Sequence, residues 1–374
     1  MTAAGFDLNL LDISVVGEGF IVGVSTAGSV VGEESAYRLD VTDQLTALDI
    51  NLPRRVDDDL FIFAETRTLT MSAIFEDAPQ VLKGKVVLVQ YNGQDVLFRG
   101  RVLSSTRSVA VDLKRPGNRK WSVSLTATAG EERSVRYRIT APSATEAGPE
   151  AAILERLPYV ATVYVHPDLD LTDVLVAAGH EASMTGTELL TRISRICSCY
   201  VQVDQDQASR LMLLPYDYGS TWTLRDDDWP SYRSVQFTEA LDAATSVTVT
   251  PMFKPASAPE EENLSVTRTL PGALRNDVSV TVDVPWDLTL LEDAAARMPI
   301  KRTQPEYVKS VDLPFDGRLD MSDQPTRLTL WLDGRRWDAA VVGVKHSIQA
   351  RPAKWDVSLD CAPVHLLTRV SDAA

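Results

Sequence analysis

The chain has 374 residues, 44% of them hydrophobic and 24% charged, with a formal net charge of −15. That length holds roughly two to four domains with ordinary buried cores, and the acidity argues against a nucleic-acid grip, which would want a basic domain or stripe. No apolar run reaches the roughly 18 residues a membrane span needs and no basic-then-apolar leader opens the chain, while three cysteines cannot form a full disulfide framework.

Residues 1–143 read as almost entirely β. Runs at 37–41, 48–52, 60–64 and 68–74 carry β-branched and aromatic residues. Thr68, Thr70 and Ser72 alternate with Leu69, Met71 and Ala73, the period of a half-buried strand. A hairpin follows, from 86 through Asn92-Gly93 to 96–102 across Gly100, then a basic Pro-Gly loop at 115–118 and a strand at 120–125 carrying Lys120-Trp121. The small, Pro/Gly-bearing stretch 141–151 reads as a linker.

The middle of the chain, 144–230, changes character. Residues 173–178 suit a short helix ended by Gly179. Thr185-Gly186-Thr187-Glu188 fits a capping box, after which Leu189, Leu190, Ile193, Ile196 and Cys197 share one helical face. Strands at 200–203 and 211–214 then make a hairpin, so the segment reads as a helix-plus-hairpin α+β module. An acidic turn, Asp226-Asp227-Asp228, lies between Trp222 and Trp229.

From 231 to 366 the β pattern returns, with strands expected at 246–250, 264–269 and 278–284 around an acidic loop at 255–262. One helix interrupts at about 287–299. Thr289 to Glu292 forms its capping box, and Leu290, Leu291, Ala294, Ala295 and Met298 face inward. A second hairpin closes the segment, from 327 through Asp333-Gly334 to 337–344 across Gly343, an Arg351-Pro352 loop, and 354–359 with Lys354-Trp355. Residues 367–374 form a short tail.

The two hairpins are the same unit written twice. Asn-Gly and Asp-Gly both suit a two-residue turn with positive φ at both central positions. From turn glycine to tryptophan is 28 residues in the first copy and 21 in the second, a difference that fits a longer loop around Arg115 to Asn118. Asn92, Gly93, Gly100 and Trp121 therefore correspond to Asp333, Gly334, Gly343 and Trp355. The expected fold is mainly β with α+β insertions: two similar small β-barrels flanking the middle module. A chain carrying one β unit twice can present six such units when three copies assemble.

Sites for chemistry find little support. Cys197-Ser198-Cys199 has the wrong spacing for a zinc knuckle, and His166, His180, His346 and His365 are scattered outside any metal-binding pattern. Asp57 to Asp59, Asp168/Asp170/Asp173 and Asp204/Asp206 offer oxygens to a hard cation such as calcium, but the loop from Asp204 lacks the glycine and glutamate of a calcium loop, Asp226 to Asp228 fails likewise, and the clusters read as solvated turns. No nucleophile elbow, cysteine-protease context or phosphate-cradling glycine loop is present. No enzyme, cofactor or metal site is expected. Trp222, Trp229 and Trp286, beside turns, read as core plugs sooner than partner anchors.

In its layout the chain resembles the tail-tip hub, or minor tail, proteins of long-tailed bacteriophages, a group related to the baseplate hub of contractile tails. RTLTMS at 67–72, GKVVL at 84–88 and LFRGRV at 97–102 resemble the first hub barrel. TELL at 187–190, YVQVD at 200–204 and LLP at 213–215 resemble the middle module, and VGVKHSI at 342–348 with WDVSL at 355–359 the closing barrel. The resemblance implies a homotrimer whose two barrels per subunit form a ring of six on the hexameric tail tube, with a DNA-conducting lumen that an acidic lining keeps from trapping phosphate. It implies a virion location at the tail tip after synthesis in the host cytoplasm. The implied partners are a distal tail protein or tube ring, the tape measure protein and other tip or fibre proteins, with DNA only in passage. The chain ends soon after the second barrel, so receptor binding and wall hydrolysis are expected of other proteins. Alternatives are a hexameric distal tail protein, a glycan-binding or glycan-cleaving β domain, and a lectin-like adhesin. Because uncovered strand edges invite aggregation, the isolated subunit is expected to behave poorly alone.

Overall fold

The computed structural model of the chain describes residues 11–16, 38–40, 44–56, 62–64, 67–77, 82–91, 95–111, 119–129, 136–139, 162–169, 182–185, 194, 199–203, 210–226, 232–239, 244–251, 263–270, 276–282, 287–298, 300, 306–315 and 325–364. The N-terminal strands are β1 (Leu11–Val16), β2 (Arg38–Asp40), β3 (Leu45–Val56), β4 (Ile62–Ala64), β5 (Arg67–Phe75), β6 (Val86–Tyr91), β7 (Asp95–Val111), β8 (Arg119–Ala129) and β9 (Arg136–Ile139). The middle carries β10 (Thr162–Val165), β11 (Ala182–Thr185), β12 (Cys199–Val203), β13 (Arg210–Pro215) and β14 (Thr221–Arg225). The rest comprises β15 (Ser234–Glu239), β16 (Ser246–Pro251), β17 (Val266–Thr269), β18 (Asp277–Val282), helix α1 (Leu288–Arg297), β19 (Glu306–Pro314), β20 (Arg327–Leu332), β21 (Arg335–Ala350) and β22 (Ala353–Pro363). The fold is mainly β, as expected.

Both hairpin-bearing units lie in one 14-stranded sheet, whose central path runs β15-β19-β22-β21-β3-β5-β8-β7-β6-β1-β2. The joint is β3 against β21, antiparallel from Ala47↔Gln349 to Pro53↔Gly343. One apolar core runs under both halves, with Leu48, Ile50, Leu69, Met71, Val123, Leu125, Val357 and Leu359 all nearly or fully inaccessible. Strict two-residue alternation produces this: β5 buries every second side chain from Arg67 to Phe75 and turns the others out. Arg54 ties the joint down, its guanidinium donating to the backbone oxygens of Pro325 and Val341 and stacking 4.5 Å from the Tyr200 ring.

The hairpin of β12 and β13 is antiparallel as expected, and β10 adds in parallel beside β13. The expected helix at 173–178 and the linker at 141–151 lie outside the described residues, and of the expected helix at 185–197 only Thr185, the last residue of β11, and Ser194, which is helical, are described. β14 falls on the middle-module side of the expected boundary at 230, yet it pairs in parallel with β20. Its alternating Trp222 and Leu224 are buried in the shared core.

The three-stranded sheet β17-β16-β18 carries α1 on one side. Leu291, Ala294, Ala295 and Met298 are buried, at the helical spacing read from the sequence. The start of the helix differs from the expected capping box. The Leu291 N–H donates to the Asp287 carbonyl at 3.1 Å, which puts Asp287 at the N-cap and Thr289 inside the first turn. A carboxylate there meets the positive end of the helix. At the other end Arg268 donates to the carbonyls of Ala295 and Ala296 at 3.1 and 2.7 Å, satisfying acceptors that the last turn leaves open.

Candidate functional site

The repeat can be aligned by strand register. In the first copy β8 places Trp121 opposite Phe75 of β5 and opposite Val109 of β7. In the second, the Phe315 N–H donates to the Trp355 carbonyl at 2.9 Å and Trp355 lies opposite Ile348 of β21. From this Phe–Trp pair outward the copies agree: Met71 and Val311 face Leu125 and Leu359, and Ser72 and Asp312 face Ser124 and Ser358. Both long strands carry a register shift at the same place, between Val102 and Ser104 and between Val341 and Gly343. Each unit is thus a five-strand strip, β6-β7-β8-β5-β3 and β20-β21-β22-β19-β15.

The residues singled out from the sequence fall as follows. Asp333 and Gly334 have φ of 51° and 71° and join Leu332 to its partner Arg335, the two-residue turn expected. Asn92 and Gly93 lie outside the described residues; the flanking pair Tyr91↔Asp95 leaves three residues between the strands, not two. Gly100 is buried where a Cβ would meet the Thr128 carbonyl oxygen at 2.5 Å and the Phe98 ring at 2.6 Å, so a close approach explains it. Gly343 is not its counterpart. With the tryptophans superposed, Gly343 corresponds to Ser104, and Gly100 to Ala339. Trp355 is buried and Trp121 half-buried.

Sequence reading missed the phenylalanines, although SAIFED at 72–77 and DLPFDG at 312–317 place Phe75 and Phe315 alike just before an acidic residue. It also missed the joint. There, Tyr91 at the end of the first hairpin packs across onto the second unit, edge-on to Phe315 at 5.2 Å and to Trp355 at 5.4 Å. Trp355 donates its indole N–H to Nδ1 of His346 at 3.3 Å. Burial pushes His346 down to about 4, so the imidazole is neutral at physiological pH.

Rows of side chains cross the sheet from unit to unit. Leu313, Val357, His346, Ile50, Leu69, Ala127 and Val102 lie opposite one another in sequence across seven strands, all buried. The other face carries small polar side chains. One row is Asp356, Ser347, Asp49, Thr70, Thr126; another is Ser234, Asp312, Ser358, Lys345, Asn51, Thr68, Thr128. These groups bond across strands. Ser347 donates to Asp49 at 2.7 Å over the joint, and Ser234 and Ser358 both donate to Asp312 at 2.7 Å. The two hydroxyls lower the Asp312 pKa. Asp356 pairs with Arg233 and Lys354. The face is mixed in charge: Lys345 and Lys354 stand among Asp49, Asp312, Asp356 and Asp360.

Elsewhere, Cys199 and Cys361 are buried, and burial pushes the Cys361 thiol up to about 12. Among the described residues no three His, Cys, Asp or Glu side chains gather as a metal site. The described parts therefore offer a continuous sheet with one apolar face, one polar face and two ends, an arrangement suited to assembly.

No protein-family model matches the chain, and no curated protein does. Solved structures do. A tail protein from Neisseria meningitidis MC58 superposes with a TM-score of 0.56 at 14% identity, covering 97% of this chain and 99% of that one. The 43 kDa tail protein of prophage MuSo2 from Shewanella oneidensis gives 0.55 at 10% identity, covering 96% and all of the other chain. At these identities the likeness is one of fold, and it extends over nearly the whole of all three chains.

Proposed function

We propose that the chain is a structural component of a bacteriophage tail, placed at the tail tip as a hub in which three copies form a ring of six equivalent β units. The observation that carries this reading is the repeat joined to itself. Two units of matching register sit edge to edge through β3 and β21, which supports reading each chain as two consecutive members of a ring. The nearly full-length likeness to two tail proteins supports the same assignment. A closed ring of six comparable units matches a six-subunit neighbour without symmetry mismatch.

From β15 to β7 the sheet runs through eight strands, β15-β19-β22-β21-β3-β5-β8-β7. Three strips exceed the roughly 16–18 strands at which a barrel already leaves an aqueous channel. The small polar face then lines the lumen. Serine, threonine and paired Asp49 and Asp312 offer DNA phosphates no continuous basic stripe to stick to. The partners in this reading are a distal tail protein or tube ring, the tape measure protein and the tip or fibre proteins. The role is structural, without catalysis. Native mass measurement of the purified assembly tests it: three copies support the hub, and six copies would replace it with a hexameric distal tail ring.

A further inference from the structure

The inner joint predicts an outer one. Inside the chain, β21 from Gly343 to Gln349 is held by β22 on one edge and by β3 on the other. The matching part of β7, from Ser104 to Ala110, pairs with β8 on one edge, and among the described residues nothing pairs with the other. At the opposite end of the strip, β15 is the counterpart of β3. It pairs with β19, and its outer edge is likewise open among the described residues. The chain thus carries both halves of the joint a second time, on edges that face away from each other along the sheet.

The side chains match the edges. Ile348, opposite Leu48 in the joint, is 1% exposed. Its counterpart Val109 is 45% exposed. Leu103, also on β7, is 48% exposed. The counterpart of Leu48 is Val235, half-buried on β15. On the polar face, the Ser347–Asp49 pair has Ser108 and Gln236 as counterparts, again a hydroxyl facing a side-chain oxygen. A third correspondence lies at the hairpin tips. Tyr91 closes over buried Trp355, whereas Trp121 stays half-buried; the residue matching Tyr91 is Leu332, beside the Asp333-Gly334 turn.

We infer that β7 of one copy pairs antiparallel with β15 of a second copy of this chain, in the register of the inner joint: Val109 opposite Val235 and Ser108 opposite Gln236. Leu332 of the second copy then covers Trp121 of the first. The contact is heterologous, head to tail, so it closes into a ring or runs on as a filament. Only the number of copies rests on the hub reading; the pairing itself is independent of it.

Cysteines report the register. In the full chain, Ser108→Cys with Gln236→Cys puts two Cβ atoms directly opposite, about 4.5–5.5 Å apart, within disulfide reach. Thr106→Cys with Gln236→Cys is a diagonal control about 7–8 Å apart. Mild oxidation of the first variant gives disulfide-linked oligomers on a non-reducing gel, and the second gives at least tenfold less. Val109→Lys weakens association at least tenfold in sedimentation while its thermal unfolding as a monomer stays that of the parent, since Val109 is exposed there. Six linked copies keep the pairing and remove the three-copy hub. A trimer in which the Ser108→Cys, Gln236→Cys variant forms no link between copies overturns the pairing and leaves the hub. Equal linking in both variants, full association of Val109→Lys, or a chain that stays monomeric and unlinked at high concentration also overturns it.

Discussion

The two copies of the hairpin unit follow one register, yet they live in different surroundings. The second copy is shut in: β3 covers β21, Tyr91 covers Trp355, and His346 is sealed with them. In the first copy the matching edge of β7 has no partner among the described residues, and Trp121 is half-buried. One local design thus has two energetic states, and neighbour contacts decide which. Stability in such a chain is drawn unevenly from its repeats, and the less covered repeat is the one left free to bind.

Substitutions test that contrast. Trp355→Ala, which empties a fully packed site, costs about 3–5 kcal/mol, whereas Trp121→Ala costs about 1–2 kcal/mol in the monomer because water already reaches the ring. Urea unfolding of the two variants side by side checks this, and equal losses would break the comparison. Ile348→Ala costs about 2–4 kcal/mol against roughly 0.5 kcal/mol or less for Val109→Ala in the monomer. A larger penalty at Val109 would mean that β7 is covered within the chain.

Acid separates the copies in a third way. His346 sits near 4 in the folded chain against 6.5 when unfolded, so the unfolded state takes up the proton first as pH falls. Stability is whole above about 6.5 and declines toward pH 4, by roughly 3 kcal/mol at most from this group. In His346→Asn the slope of unfolding free energy over that window flattens by about one proton, or ~1.4 kcal/mol per pH unit. Its counterpart in the first copy is Arg107, opposite Val123 as His346 is opposite Val357, so the first copy has no matching imidazole. The smallest effect is at a turn: Gly334→Ala, at φ of 71°, costs about 1 kcal/mol, read as a shift in the unfolding midpoint.

Much of this was legible in the chain itself. Alternation at Thr68 to Ala73, the Asp333-Gly334 turn, the paired Lys-Trp strands and the inward face of α1 follow from two-residue and 3.6-residue periods, which are local. The joint was not, because pairing Asp49 with Ser347 is a property of edges 298 residues apart and no spacing encodes it. The glycine correspondence failed for a related reason. Gly100 and Gly343 sit at similar distances from their turns, but the first hairpin carries extra residues in its loop and at the shift between Val89 and Gln90, and the true alignment lies four residues away. Asp287 was passed over as a cap because the Thr289–Glu292 spacing offered a capping box two residues later.

The reach of the joint also sets a clock. β3 leaves the ribosome long before β21 is made, and at about 5–20 residues per second the 298-residue interval between Asp49 and Ser347 lasts roughly 15–60 s. Throughout that interval the nascent chain carries an open strand edge in a cell making other copies of itself. Pro53 and Asp49 lie on that edge; a residue without an N–H and a charge are the features that keep premature strand partners away. The same edge that must later accept its own C-terminal half is therefore built to refuse strangers during synthesis.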